Sequence, residues 1–568
     1  MRKIIALILL AFLPLAISAS RNDGTWLQYK QPDGSVVTVR FCGDEHYTYY
    51  VSLTGTLMNR GEDGFLHVIS KDELQREVSQ ARASEGTMMS RRASINKNWD
   101  PTKVYKSPVI LVSFADIGFT VSDNPKLFYD SLFNAPGFNK GVGPGCVADY
   151  FREQSGGLFN AQFDVFGPVF VADTAACKNN GAYRTVLRNA LIKAVDSLGV
   201  DLSQYDWDDD GYMEQVVFLY SGYGSNDGYA PSQALINPHT TSFSSYKSNG
   251  VVAKNYTCSA ERWGYNEESC GIGTICHEFA HALGLPDIYP TQGSEYSVVD
   301  EWDLMDGGNF TNWGWCPPNL TSIEKMQLGW LEPVELTEPT TITDMKSVAD
   351  GGTVYKISHT EKEFFLLENR QWRYWDSGLP GKGLAVFHVY YDDNAWNIYR
   401  YGGTNSVNNN PNMHRFDLVH ADNMGYYDSY DWAKATYRRQ YLNKKERYNS
   451  FILSGSSYPL VTDTLENHEL TTVSTPAMNI YEIVAEGDSV LDKPITNIQM
   501  TDDGLISFDF MGGDKTGIEN PNSQSPILNS QFYDLQGRRV PSANGRGIYI
   551  QRRADGTIKK CLNKLYIY

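Results

Sequence analysis

Residues 276–287, CHEFAHALGLPD, hold two histidines four positions apart, a glutamate directly after the first, and an aspartate six positions past the second. On a helix, positions i and i+4 are surface neighbours, so His277 and His281 can reach one ion from a rigid platform. Glu278 then lies beside that ion rather than on it, suited to hold a water and take its proton. Zinc at such a site would acidify the water and polarise a scissile carbonyl, which is the chemistry of peptide hydrolysis. Gly284 lets the chain leave the helix in a conformation that a Cβ resists, and LPD brings Asp287 back as the third ligand. Glu301 is the alternative oxygen ligand, with Asp287 then only a supporting residue. A core helix with two satisfied histidines would carry the same letters. With ten histidines in 568 residues, however, HExxH arises by chance on the order of one chain in a hundred. Cys276 is assigned no role at the zinc.

A second constellation is YDWDDDGYME. Asp206, Asp208 and Asp210 alternate and are followed by Gly211, so their carboxylates can converge on one calcium ion where glycine allows a sharp turn. The carbonyl of Tyr212 and the carboxylate of Glu214 would complete the set. Val217 stands where an EF-hand has its twelfth-position glutamate, so this is not a full EF-hand; calcium in a structural role is the expectation, with a solvated acidic turn as the alternative.

These residues need a scaffold. PVILVSF and QVVFLYSGYG are continuous apolar runs, as strands buried on both faces would be. AYRTVLRNALIKAVDSLG has apolar residues at 186, 187, 190, 191, 194, 195 and 198, a 3.6 period, and Gly199 as a stop. The predicted catalytic unit is therefore α/β over 101–332, a twisted sheet plus the active-site helix. Short strands such as EFFLLENR, GLAVFHVYY and LISFDF over 333–512 predict a β-rich, sandwich-like accessory domain, making the whole a multidomain α+β chain. Ahead of both, residues 20–100 alternate β-formers around a PDG turn, and Ser70 with Glu73 caps a polar helix. Residues 513–526 are linker-like, and 527–568 read as a pair of β-hairpins.

At 568 residues with 41% apolar and 20% charged content, the chain is globular and too long for one ordinary core. The net charge of −18 argues against a nucleic-acid partner, which would need lysine and arginine clusters. Residues 1–19 have a basic start, an apolar run and small residues near Ser18, the pattern of a secretory signal peptide. That run is too short to make a stable transmembrane anchor. For an exported chain, eight cysteines permit disulfides; six fall between 146 and 316, with no connectivity readable.

HEFAHALGLPDIY resembles the zinc motif of the M6 (immune inhibitor A type) secreted metallopeptidases of the metzincin clan. VADYFREQSGGLF, YDWDDDGYMEQVVFLYSGYG, FFLLENRQ and GLAVFHV are similar to blocks of that family in the same order. The resemblance implies zinc on His277, His281 and Asp287, Glu278 as general base, and Met305 in EWDLMDGG as the Met-turn. Metzincins often carry a tyrosine two residues after this methionine; Gly307 stands there instead. INPHTT lacks the family's tryptophan before Pro-His, and His239 is either near the active site or a hydrogen-bonded structural residue. RFCGDE resembles the segment by which astacin prosegments place an aspartate on zinc, so Asp44, or the Cys42 thiolate, could block the site until cleavage near Arg91 and Arg92. An ordinary hairpin turn fits the same residues. YDLQGR and GIYI resemble the sorting tails of Bacteroidetes type IX secretion, implying contact with that machinery.

The expectation is a secreted zinc endopeptidase made as a zymogen and acting on protein or peptide substrates. A different class is a surface adhesion protein with a vestigial peptidase domain; the intact His, Glu, His and Asp set argues against it.

Overall fold

The computed structural model describes residues 21–563 except 45–46, 62, 86–98, 179–181, 228–229, 232–233, 265–267, 292–297, 399–402, 411, 424–429, 432–435, 438–453, 485–488, 515–530, 534–538, 541–546 and 553–557. The expected signal peptide, the Arg91 and Arg92 cleavage stretch and most of the linker lie outside the described residues.

The N-terminal unit is an antiparallel meander in sequence order, β1 (Arg21–Lys30), β2 (Val36–Asp44), β3 (Thr48–Ser52), β4 (Leu57–Arg60) and β5 (Leu66–Val68), followed by helix α1 (Lys71–Glu85). The PDG segment makes the β1–β2 turn, and Ser70 Oγ accepts the Glu73 N–H at 3.1 Å, as the capping pattern predicts. Leu74 and Val78 of α1 pack on Tyr49 and Val51.

The central sheet contains β6 (Val104–Ser113), β7 (Asn160–Phe170), β8 (Val216–Tyr223), β9 (His239–Ser248), β10 (Val251–Trp263) and β11 (Glu268–Ser269). Its order is β11-β10-β8-β6-β7; β9 lies antiparallel to β10 off that path, while β7, β6, β8 and β10 run parallel. The run Val109-Ile110-Leu111-Val112 is fully buried because both faces are covered. Val109 and Leu111 pack with α2 (Pro125–Asn134), α3 (Val147–Gln154) and α5 (Gly273–Leu283). Ile110 and Val112 meet Val186, Leu187, Ala190, Leu191 and Ala194 of α4 (Ala182–Leu198), the apolar stripe read from the sequence.

Beyond α6 (Ser322–Gln327) the chain is β-rich. A five-stranded sheet runs β12 (Val334–Glu335), β14 (Tyr355–Ser358), β15 (Glu363–Arg370), β16 (Gly383–Tyr390) and β17 (Phe416–Leu418). A three-stranded sheet joins β13 (Thr340–Met345) to the strands Ile506–Phe510 and Ile495–Met500. Side chains alternate along β15 and β16, and both faces are buried. Phe364, Leu366, Ala385, Phe387 and Val389 enter the core that holds α5, whereas Phe365, Leu367, Leu384 and Val386 face the three-stranded sheet. The five-stranded sheet is thus a middle layer. The change of composition at residue 333 falls inside a shared core, because a doubly buried sheet serves both sides. Near the C-terminus, strands Gln531–Tyr533, Arg539–Val540, Gly547–Arg552 and Ile558–Asn563 form a four-stranded antiparallel sheet, in line with two hairpins.

Candidate metal centre and active site

Every residue of α5 is buried, so this helix is the middle of the molecule rather than an amphipathic surface element. Its first residue, Gly273, sits against the Asn309 carbonyl, where a Cβ would collide. Its C-cap, Gly284, has φ 105° and donates to the Ala280 and His281 carbonyls, while Leu285 N–H bonds the Ala280 carbonyl at 3.1 Å. This left-handed turn reverses the chain within three residues and carries Asp287 back over the helix.

His277 and His281 stand with ring centroids 4.8 Å apart and planes at 84°. Nδ1 of His277 lies 2.9 Å from the Leu304 carbonyl, and Nδ1 of His281 lies 2.7 Å from the Leu285 carbonyl. A carbonyl only accepts, so each Nδ1 donates to its carbonyl and Nε2 is the ring nitrogen left to face Asp287 or a ligand. Asp287 Oδ1 lies 3.4 Å from His277 Nε2 and 3.1 Å from His281 Nε2. It is buried, with the two imidazoles as its neighbours. One atom from each of these three residues falls within 4.8 Å of the others. Glu301, the alternative ligand, lies on a short 3-10 turn outside this cluster.

Burial opposes the charge on His281, but the Asp287 carboxylate outweighs it and lifts the imidazole pKa to about 9. Burial likewise opposes ionisation of Asp287, yet His281 and His277 hold it well below the usual carboxylate range. The pocket therefore favours a positive charge between these three side chains, and its donor set suits zinc.

Glu278 is buried beside the pair. Its Oε2 lies 2.9 Å from Thr240 Oγ1, which is also 2.8 Å from the Glu278 carbonyl oxygen. Thr240 is the second residue of β9, and the ring of His239 before it meets two polar groups. Its Nδ1 lies 2.8 Å from the Asn237 carbonyl and its Nε2 lies 2.8 Å from the Tyr256 hydroxyl.

Met305 is fully buried, and its backbone ties the site together. Its carbonyl accepts the Ile288 N–H at 2.9 Å, next to Asp287, while the preceding carbonyl, Leu304, holds His277. Its own N–H donates to Asp303 Oδ1 at 2.7 Å, and Asp303 Oδ2 accepts from Thr321 Oγ1 at 3.2 Å. At Gly307 the N–H bonds the Asp300 carbonyl, and a Cβ there would fall against Asp300 Oδ1, so the loop closes on itself without a side chain.

Asp206, Asp208 and Asp210 form a second carboxylate cluster. Asp206 accepts the N–H groups of Asp210 and Gly211 at 3.1 and 2.7 Å, and Asp210 accepts the Tyr212 N–H at 2.9 Å. Glu214 turns one oxygen to the Trp207 N–H at 2.6 Å. Of the latency residues, Cys42 packs inside the N-terminal core with Tyr49, Val51, Leu74 and Val78; Asp44 ends β2. The expected disulfides do not appear at Cys146, Cys177, Cys270, Cys276 and Cys316, which are free thiols. Burial pushes the Cys276 thiol well above its ordinary range.

Thr240, Leu304 and Asn405 complete the site and were not singled out by sequence. Thr240 had a partial signal, since INPHTT is where the resemblance breaks. Asn405, whose side chain contacts Asp287, sits in an asparagine-rich loop that carries no distinguishing pattern.

Residues 123–330 match the family model described as immune inhibitor A peptidase M6, catalytic domain. Immune inhibitor A of Bacillus thuringiensis subsp. alesti is 27% identical over 247 residues, covering 36% of this chain and 36% of that protein. The pre-pro-metalloprotease PrtV of Vibrio cholerae serotype O1 (strain ATCC 39315 / El Tor Inaba N16961) is 23% identical over 217 residues, covering 33% of this chain and 24% of that protein. The chain thus spans little more than a third of the one relative and about a quarter of the other. Among the described residues, no helix is long and apolar enough to cross a membrane.

Proposed function

We propose that this chain is a zinc-dependent endopeptidase, on the strength of one observation above the rest. His277 Nε2, His281 Nε2 and Asp287 Oδ1 converge in a buried pocket with Glu278 beside them. When bound, zinc would supply Lewis acidity and bring the pKa of a water towards neutrality. Glu278 is the residue that would take a proton from the attacking water and hand it to the amine nitrogen as the peptide bond breaks. Thr240 keeps the Glu278 carboxylate oriented, and the Leu304 and Leu285 carbonyls keep both imidazoles in the tautomer that offers Nε2.

The resemblance of residues 123–330 to a peptidase catalytic domain supports protein or peptide substrates. Calcium at Asp206, Asp208 and Asp210 has a structural role in this reading, with the Tyr212 carbonyl and Glu214 as further candidates. The leader-like residues 1–19 support secretion, and the C-terminal hairpins support recognition by an export machinery. The N-terminal unit acts as a propeptide. Asp44 and Cys42 are the two candidates for holding the site latent in this reading.

The deciding experiment is cleavage of casein or gelatin by the purified protein processed near Arg92, with and without chelator, beside the Glu278→Ala variant. Cleavage lost with chelator and restored by zinc is expected. A Glu278→Ala protein that cuts as fast as the parent overturns this mechanism.

A further inference from the structure

Asp287 is gripped by a residue 118 positions away in sequence. Asn405 Nδ2 donates to Asp287 Oδ2 at 2.5 Å, and Asn405 Oδ1 accepts the Asp287 N–H at 2.8 Å. One amide thus holds both the side chain and the backbone of the same residue. Its orientation is determined by its partners, since a carboxylate needs a donor and an N–H needs an acceptor.

The neighbouring residues repeat the contact. The Asn405 carbonyl accepts Thr291 Oγ1 at 2.7 Å, Asn409 Oδ1 accepts the Thr291 N–H at 2.6 Å, and Asn408 Nδ2 donates to the Ile288 carbonyl at 2.9 Å. Asn408 is fully buried and its Oδ1 takes the N–H groups of Arg415 and Phe416, which anchors the loop to the start of β17. Asn405 has φ 44°, a left-handed conformation that asparagine tolerates better than most side chains.

We infer that the loop 404–409 of the β-rich layer is a built part of the metal centre, with Asn405 as its positioning residue. The inference rests on the reading of Asp287 as a zinc ligand. A free carboxylate has two equivalent oxygens and turns about its last bond. An amide donor on Oδ2 removes that equivalence and leaves Oδ1 facing both Nε2 atoms. Because Asn405 lies outside the region matching the peptidase catalytic domain, the metal centre is completed by a segment far downstream of it.

The test uses the full chain and four variants: Asn405→Ala, Asn405→Asp, Asn369→Ala and His277→Ala. Zinc affinity is measured by chelator competition, and unfolding temperature with and without zinc. Asn405→Ala is expected to bind zinc about 10- to 100-fold more weakly, the usual effect of losing a residue that orients a ligand. The rise in unfolding temperature on adding zinc shrinks with it. Asn405→Asp keeps the side chain's size and the acceptor for the Asp287 N–H but sets two carboxylates together, so it loses at least as much; it carries the test if the alanine variant does not fold. Asn369 bonds the Met345 and Gly504 carbonyls inside the β-rich layer, so its loss lowers stability equally with and without zinc. Asn405 variants with parental zinc affinity, or with that same even loss of stability, overturn the inference. If the parent binds zinc no better than His277→Ala, the ligand reading itself fails, and the inference with it.

Discussion

Thr240 Oγ1 lies 2.9 Å from Oε2 of Glu278 and 2.8 Å from the carbonyl oxygen of that same residue. A hydroxyl has one proton and two acceptors here, so it fixes the carboxylate's distance from its own backbone. A base aimed at a water needs this restraint, because a small misplacement lengthens the proton transfer. Thr240→Val removes the hydroxyl and keeps the shape. A hydrogen bond to a charged group contributes about 1.5–3 kcal/mol, so kcat should fall roughly ten- to a hundredfold with KM little changed. Thr240→Ser should retain most activity. Equal kcat in Thr240→Val and the parent would remove Thr240 from the mechanism.

Three carboxylates gathered at Asp206, Asp208 and Asp210 repel one another until a cation joins them. Added calcium should raise the unfolding temperature of the parent chain and not that of Asp208→Asn. At a calcium concentration a hundred times the dissociation constant, the linkage contributes about 2.7 kcal/mol. Melting both proteins across a calcium series settles it; identical responses mean the turn is only solvated.

Glu324 caps α6 through the Thr321 N–H at 2.7 Å, while its other oxygen is buried with no hydrogen bond among the described residues. Burial, outweighing the Thr321 hydrogen bonds, pushes its pKa from 4.5 to about 7. An acid raised in this way keeps in the native state a proton that the unfolded chain has released. Its stabilising contribution is therefore complete below 4.5 and is lost as pH rises through about 7. The neighbouring buried Asp303, raised well above its ordinary range by burial and by Glu324, shares that loss. Urea unfolding from pH 4.5 to 7 should show the loss as a slope, and Glu324→Gln should flatten it. An unchanged slope in the variant would place the titration elsewhere.

Arg370 is fully buried and bonds both Asp376 oxygens at 2.8 and 2.7 Å, Glu368 at 3.1 Å and the Asn319 carbonyl at 3.1 Å. Glu368 in turn accepts the Ser322 N–H at 2.6 Å, so the network spans β15 and the start of α6. Arg370→Met leaves two carboxylates buried without their cation. A cost of about 3–5 kcal/mol is expected from chemical denaturation. A cost below 1 kcal/mol, the scale of an exposed pair, would show that the network is solvated.

The residues read from local spacing are those whose geometry is local. His277, Glu278 and His281 follow from the period of one helix, and Gly284 from the turn that ends it. Asp287 follows from that turn as well. Thr240 and Asn405 do not, since they reach the site from a separate strand and a distant loop whose pairing no short pattern encodes. The stripe on α4 and the buried run of β6 were legible because period fixes which face is covered. The double burial of β15 was hinted at by the unbroken run EFFLLENR, yet the sequence alone does not name the second layer. The cysteine count pointed to disulfides, but thiols that pack singly in the core leave the same count.

The doubly buried strands β15 and β16 also constrain how such a protein can be inherited. A chain ending near residue 330 would retain His277, Glu278, His281 and Asp287, yet would uncover the apolar surface that meets Phe364, Leu366 and Phe387. It would also forfeit Asn405. The two stretches can be shuffled between genes only as a pair, so substitutions on one side of the shared layer are judged by their fit to the other.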